Sequence, residues 1–159
     1  MTSAGGFIHA SAVVIGETGV LIEGASGSGK SSLAAALLTE AVLFGRFASL
    51  VGDDRLQVEA RNGRLVARPH PAIAGLIERR GTGLLPTAHE PACVLGLAVA
   101  LVAENVALPP RLPQEAARRL LHGIALPALT LRSNAGAIEN SRRVLAATAL
   151  RQSVAGELF

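Results

Sequence analysis

Lys30 is the only lysine of this 159-residue chain, and it lies within Gly24-Ala25-Ser26-Gly27-Ser28-Gly29-Lys30-Ser31. That is the phosphate-binding pattern G-x-x-x-x-G-K-[ST]. Positive charge elsewhere in the chain is written as arginine. A point-like ammonium on a flexible stem fits between β- and γ-phosphates, where a planar guanidinium fork is wider. Successive backbone N–H groups from Ser26 to Lys30 can cradle a phosphate, and the dipole of a following helix adds to the attraction. Ser31 offers a hydroxyl to Mg²⁺. With Ser32, the next residue of the first helical turn, Gly24 to Ser31 form the expected nucleotide-binding set.

The aspartates are equally concentrated: Asp53 and Asp54 are the only two, and they are adjacent. They come after an apolar stretch, where a Mg²⁺-organising acid belongs at the carboxyl edge of a parallel sheet. Neighbours on a strand point to opposite sides. One acid can therefore hold Mg²⁺ or its water while the other faces a nucleophile as general base. Gly52-Asp53-Asp54-Arg55 is also good turn chemistry. In Glu78-Arg79-Arg80-Gly81, a metal role for Glu78 and a phosphate role for Arg80 compete with an exposed charged helix end. His9 lies in an apolar segment before the loop, where a lone histidine commonly packs in or beside a core. His70, His89 and His122 have no metal-ligand spacing, and Arg132 reads as a surface arginine.

Elements to position these groups are legible. Phe7 to Ile15 reads as a strand, Gly16 to Gly19 as a turn, and Gly19 to Glu23 as a second strand feeding the glycine-rich loop. Lys30 to Leu43 is an Ala/Leu-rich helix, which completes the strand–loop–helix context that the motif requires. Phe47 to Val51 is a short buried strand ending at the aspartates. Arg55 to Ala60 and Arg64 to Arg68 flank Asn62-Gly63, a hairpin signal. Ile73 to Glu78 is expected to be a short helix and Gly81 to Gly83 a flexible loop. Cys93 to Ala103 is expected to be a central strand, Pro113 to His122 a helix with proline near its start, Ala128 to Leu131 a last short strand, and Ala135 to Gln152 a C-terminal helix.

Half of the residues are apolar and only 3% are aromatic, so the core must be Leu, Val, Ile and Ala. This length and composition describe one packed domain, residues 1–159. The net charge of +3 is spread over scattered arginines. With no basic run or aromatic-interleaved stripe, nucleic acid is not expected as a partner. A single cysteine, Cys93, rules out an intrachain disulfide framework and reads as a buried, inert thiol. The longest apolar run, Ala92 to Ala103, is shorter than the roughly 20 residues a membrane helix needs, and no signal pattern opens the chain. A cytoplasmic protein without membrane contact is therefore expected.

Four segments in this order resemble the catalytic domain of HPr kinase/phosphorylase: Ile8-His9-Ala10, Gly29-Lys30-Ser31, Val51-Gly52-Asp53-Asp54 and Glu78-Arg79-Arg80-Gly81-Thr82-Gly83. The resemblance implies an α/β, P-loop-containing fold like the nucleotide-binding core of phosphoenolpyruvate carboxykinase. It implies ATP- and Mg²⁺-dependent phosphorylation of a serine on the phosphocarrier HPr, and regulation of the phosphotransferase system. The same site often runs the reverse reaction, attack of phosphate on phosphoserine. On this reading Asp53 takes the proton from the HPr serine and His9 helps set its charge. Lys30 and the loop amides bind the triphosphate, Ser31 and Glu78 hold Mg²⁺ with Asp54 as a further metal ligand, and Arg80 stabilises the transferring group. Family members assemble as hexamers, so a homo-oligomer is expected. Longer members carry an N-terminal domain, whereas this chain starts almost at the first strand and looks like a short form. The family's C-terminal Pro-Gly-Arg-Asn loop has no clear counterpart in Leu131-Arg132-Ser133-Asn134-Ala135-Gly136. Two other functions fit the motifs: a small-molecule P-loop kinase, and a nucleotide-sensing regulator without catalysis.

Overall fold

The computed structural model describes residues 6–79, 81–105 and 117–156, with side chains to residue 150. In chain order the elements are β1 (Phe7–Ile8), β2 (Ala10–Ile15), β3 (Thr18–Gly24), α1 (Lys30–Leu43), β4 (Ala48–Gly52), β5 (Leu56–Arg61) and β6 (Arg64–Pro69). They continue with β7 (Leu76–Arg79), β8 (Gly83–Pro86), β9 (Cys93–Val102), β10 (Arg118–Leu121), β11 (Ile124–Arg132) and α2 (Ala137–Gly156). One sheet runs β1-β5-β6-β9-β3-β2-β4, with β11 also on β9 and β10 on β11.

The strand that feeds the glycine-rich loop is central. β3 pairs in parallel with β9, and β9 in parallel with β11. β2 is antiparallel to both β3 and β4. The sheet is thus mixed rather than parallel as expected. Because β2 lies between them, β4 still runs in the same direction as β3, and the Gly52 end of β4 comes to the same edge as the loop. In the β2–β4 pairing Ala12 faces Gly52 and Val13 faces Leu50, which leaves Val51 as the extra residue of a bulge. A bulge bends its strand and re-aims the residues after it, and here those residues are the aspartates.

Alternation along the strands sorts the apolar residues into two clusters. Val20, Ile22, Val13, Ile15, Leu50, Val99 and Leu101 pack with Leu33, Leu37, Val144 and Leu145 of the helices. Leu21, Ala10, Ala12, Val51 and Ala98 pack with Leu56, Val58, Leu65 and Leu126. A sheet covered on both faces reads as near-continuous apolar runs, which is why β3 and β9 lack a clean two-residue alternation. Side by side, α1 and α2 are tied by Arg142 Nε to Glu40 Oε2 (3.0 Å) and by Arg46 donating to the Leu145 carbonyl (2.7 Å). On the other face Arg119 grips both oxygens of Glu23 (2.9 and 3.1 Å), fastening the β10–β11 hairpin to β3 one residue before the loop.

The expected α1 matches its observed bounds, and the Asn62-Gly63 hairpin and β9 lie where expected. Other elements differ for local reasons. The first strand breaks at His9, where the chain changes partner from β5 to the β3–β4 pair. The expected helix from Ile73 to Glu78 is a 3₁₀ turn at Pro71–Ile73 and then the strand β7. Gly75, at φ 76°, ends any helical path, and its hydrogen atom faces the ring of His89 at a distance no Cβ could occupy. Gly81-Thr82 turns β7 into β8 as a hairpin. Of the expected helix Pro113 to His122, residues 113–116 lie outside the described residues, and Arg118–Leu121 is a strand. His122 and Gly123 both have positive φ (47° and 78°), the pairing that suits a two-residue hairpin turn. The last strand is longer than expected, Ile124–Arg132, with Pro127 accommodated opposite Arg118.

Cys93 opens β9 and is buried, and burial pushes its thiol up to about 12. At pH 8 the folded chain should react with iodoacetamide at least ~100-fold more slowly than the urea-unfolded chain, because the thiolate is the nucleophile. Mass spectrometry of labelling time courses checks this; equal rates would place the thiol in solvent.

Candidate active site

Asp53 is buried, 3% exposed, and its carboxylate collects donors from three other segments. Ser31, at the start of α1, donates its hydroxyl to Oδ1 (2.8 Å) and Oδ2 (2.9 Å). Ser11 of β2 donates to Oδ1 (2.6 Å), and the Glu78 backbone N–H of β7 donates to Oδ2 (2.9 Å). A buried carboxylate is tolerable only when satisfied in this way. The cluster fastens the loop-bearing helix, the β4 end, β2 and the β7 hairpin to one another.

Asp54 goes the other way. Its φ is 63°, and Arg55 N–H closes back onto the Asp53 carbonyl at 2.7 Å. Aspartate is among the few residues that adopt this left-handed backbone at low cost, and such outliers cluster at functional sites. The turn leaves Asp54 half-exposed, with Oδ1 3.7 Å from Nδ1 of His9. The contact is an ion pair when the imidazole is protonated. His9 is itself exposed, at the break between β1 and β2. The histidine expected to set the charge of Asp53 therefore stands beside Asp54 instead. The physical reason is the bulge and then the positive-φ turn, which separate two side chains that adjacency alone would leave ambiguous.

Between these groups lies an open cleft of about 630 Å³, lined by Ser26 to Ser32 of the loop, by Asp54 and Glu78, and by Ser133 and Asn134. Gly27 and Gly29 have φ of 78° and 98°, the conformations that let the loop wrap a phosphate without side chains intervening. Gly24 is equally constrained, since a Cβ there would meet the Ser28 hydroxyl and the Leu101 carbonyl. Lys30 is 7% exposed, and its Nζ donates to the carbonyls of Gly24 (2.9 Å) and Ala25 (3.2 Å). Of the expected site residues the structure thus brings together the loop, Ser31, Asp53, Asp54, Glu78 and His9. Arg80 lies outside the described residues.

The donors at the cleft are all oxygens: the Ser31 hydroxyl and the carboxylates of Asp54 and Glu78, backed by Asp53. Hard oxygen donors suit Mg²⁺, which keeps several waters and usually takes one or two carboxylates plus the substrate's phosphates. Among the described residues no three His, Cys, Asp or Glu side chains converge as a closed metal cage.

Comparison with known proteins bears on this assembly. The model of the HPr serine kinase C-terminal domain matches residues 3–137. The chain belongs to that family. HPr kinase/phosphorylase of Mycoplasma mycoides subsp. mycoides SC is 41% identical over 76 residues, which is 48% of this chain and 22% of that protein. The chain therefore spans well under two thirds of this curated relative. The solved structure of the HPr(Ser) kinase/phosphatase from Coxiella burnetii superposes with a TM-score of 0.73 at 25% identity, covering 95% of this chain and 98% of the other. The family's α/β P-loop kinase core is the fold described above. Among the described residues no helix is long and apolar enough to cross a membrane.

Three contributors escaped sequence reasoning. Ser11 is fully buried, and besides holding Asp53 it accepts the Asp54 N–H (3.3 Å). Its signal was a lone hydroxyl in an otherwise apolar strand. Ser133 and Asn134 reach the cleft because the residues after β11 are pinned to the end of β9, Ser133 Oγ donating to Val102 O at 3.2 Å.

Ser11→Ala should lower stability by about 1–3 kcal/mol, since it removes one donor to a buried carboxylate and the acceptor of the Asp54 amide. Urea unfolding midpoints check this. An unchanged midpoint would mean that Ser31 and the Glu78 amide satisfy Asp53 without it.

Proposed function

We propose that this chain transfers the γ-phosphoryl group of ATP to a serine of an HPr-type phosphocarrier protein, in a Mg²⁺-dependent reaction. The observation that carries the reading is the joining of Ser31 to Asp53 within one cleft edge that also presents Asp54, Glu78 and the loop amides. Such an array has little covalent chemistry to perform; it positions a triphosphate and neutralises charge, which is most of what phosphoryl transfer requires.

In this proposal the amides of Ser26 to Lys30 hold the β-phosphate region and the Lys30 ammonium turns from the loop carbonyls to the β- and γ-oxygens. Bound Mg²⁺ would withdraw charge from those oxygens; Ser31 and Glu78 would hold it, with Asp53 orienting the Ser31 hydroxyl. Asp54, on the cleft and beside His9, is assigned the proton acceptor. This reverses the division that the resemblance implied, because both oxygens of Asp53 are already engaged and the side chain is buried. The serine Oγ attacks the γ-phosphorus, its proton passes to the Asp54 carboxylate, the bond to the β-bridging oxygen breaks, and ADP leaves. Arg80 is assigned to the charge on the transferring group. With phosphate as nucleophile on phosphoserine, the same groups would form pyrophosphate and release serine, with Asp54 returning the proton to the serine oxygen. A cytoplasmic homo-oligomer acting in control of the phosphotransferase system belongs to the same proposal.

The test is incubation with Mg-ATP and HPr from the same organism, read by intact-protein mass spectrometry. A one-phosphate gain on an HPr serine is expected. Asp54→Asn should lower the rate by ~10²–10⁴-fold, the usual contribution of a general base, with ATP affinity little changed because the base acts in the transition state. Asp53→Asn should instead weaken Mg-ATP binding. Near-normal transfer by Asp54→Asn with total loss in Asp53→Asn would return the base to Asp53. No gain on any HPr, with ATP still bound, would favour a metabolite kinase or a nucleotide sensor.

A further inference from the structure

Beyond the phosphate cleft, a smaller cavity of about 210 Å³ opens between the loop and the start of α2. It shares Ser28, Gly29, Ser32 and Ser133 with the cleft, so the two adjoin. Its deeper wall is Leu33, Leu101, Ala137 and Asn140, with no acid among the lining residues. Asn140 is 2% exposed, and its Oδ1 has no hydrogen-bond partner among the described residues; the Ser28 hydroxyl on the same cavity is likewise unpaired.

The orientation of the Asn140 amide is fixed by chemistry. Its Nδ2 donates to the Arg132 carbonyl at 2.9 Å. A carbonyl can only accept, so turning the amide over would set oxygen against oxygen. Asn140 therefore keeps Oδ1 as its unpaired acceptor, with one Nδ2 hydrogen committed to Arg132. A buried polar atom without a partner is uncommon and costly, and calls for a donor from outside the protein. One ordered water would satisfy it, but a water's share of liquid volume is only ~30 Å³, far below the space present.

We propose that this cavity is the nucleobase subsite and that Asn140 Oδ1 accepts the exocyclic amine of a 6-aminopurine. The inference rests on the nucleotide reading above. With phosphates on the loop, the nucleoside must leave the cleft on one of two sides. One side carries Asp54, Glu78 and His9, where the acceptor serine must enter. The other carries apolar walls for the faces of a base and a fixed acceptor for its edge. In the same position a 6-oxopurine would set its own acceptor against Oδ1, its ring donor lying at N1 instead, the situation in which a polar site discriminates strongly.

The experiment measures calorimetric affinities of the unmodified chain for Mg-ATP, Mg-ITP and magnesium tripolyphosphate, without HPr. Mg-ATP should bind roughly tenfold or more tightly than Mg-ITP, in which an oxo group replaces the 6-amino group and N1 gains a proton. Asn140→Ala should abolish that preference and leave tripolyphosphate affinity unchanged. In parallel, 8-azido-ATP photolabelling of the unmodified chain should mark the peptide spanning Ser133 to Asn140, a readout that survives if Asn140→Ala does not fold. Equal ATP and ITP affinities, a preference persisting in a folded Asn140→Ala, or labelling confined to other peptides would each overturn the subsite while leaving the phosphate reading intact. If neither ATP nor tripolyphosphate binds, the nucleotide reading falls and the subsite falls with it.

Discussion

The Asp53 carboxylate is the constraint on which the site depends. A charge at 3% exposure is a liability of several kcal/mol unless hydrogen bonds replace its water. Here the replacements come from Ser11 of β2, Ser31 of α1 and the backbone N–H of Glu78 on β7. These residues lie in three elements separate in sequence, and the weakest of the three is β7. The β7–β8 hairpin in particular is a two-stranded sheet apart from the main one, and such ribbons are marginal alone. Ile77 in the helix-side core and Glu78 N–H on Asp53 anchor it from two directions, so the Glu78 side chain is delivered to the cleft.

The same carboxylate explains the different environments of the two aspartates. Asp53 has its acceptor capacity consumed by fixed donors, which makes it an orienting group. Asp54 is released by a positive-φ turn, stands half in solvent, and has a single histidine beside it. Two adjacent acids on a regular strand would simply face opposite sides of the sheet. The bulge at Val51 and the turn at Asp54 instead keep both at one edge while giving them unlike surroundings. Ser11 links the two by donating to one and accepting the amide of the other.

Much of this was readable in the sequence because the signals were local. The loop motif, the helix after it, the Asn62-Gly63 turn and the apolar run of β9 are each dictated by neighbours within a few residues, and each lies where read. What was not readable depended on contacts distant in sequence. Arg118–Leu121 has helix-compatible residues, yet it is a strand because Leu126 and its hairpin are drawn onto the sheet and Arg119 is caught by Glu23. Leu76–Arg79 reads as helical by composition but is too short to be helical alone, and Asp53 captures it as an extended chain. Which aspartate faces the cleft was likewise undetermined, since motif order carries no information about a bulge. The role of Ser11 was not readable from its lone hydroxyl because its partner is 42 residues away.

The placement of β2 gives the arrangement its economy. A parallel sheet puts its loops at one edge but needs a long crossover between neighbouring strands. Here the antiparallel β2 leads into β3 through a two-residue turn and pairs with β4 on its other side, so the P-loop and the aspartates share an edge with one strand between them. That strand has its own N-terminal end at the same edge, and His9 is the residue before it. Histidine, loop and acid pair are therefore positioned by three adjoining strands, and Ser11, two residues after His9, bonds the acid pair from within the sheet. A substitution that shifted β2 by one residue would exchange the faces of its side chains. It would move His9, Ser11 and the bulge together, which makes the register of this one strand the common determinant of the site.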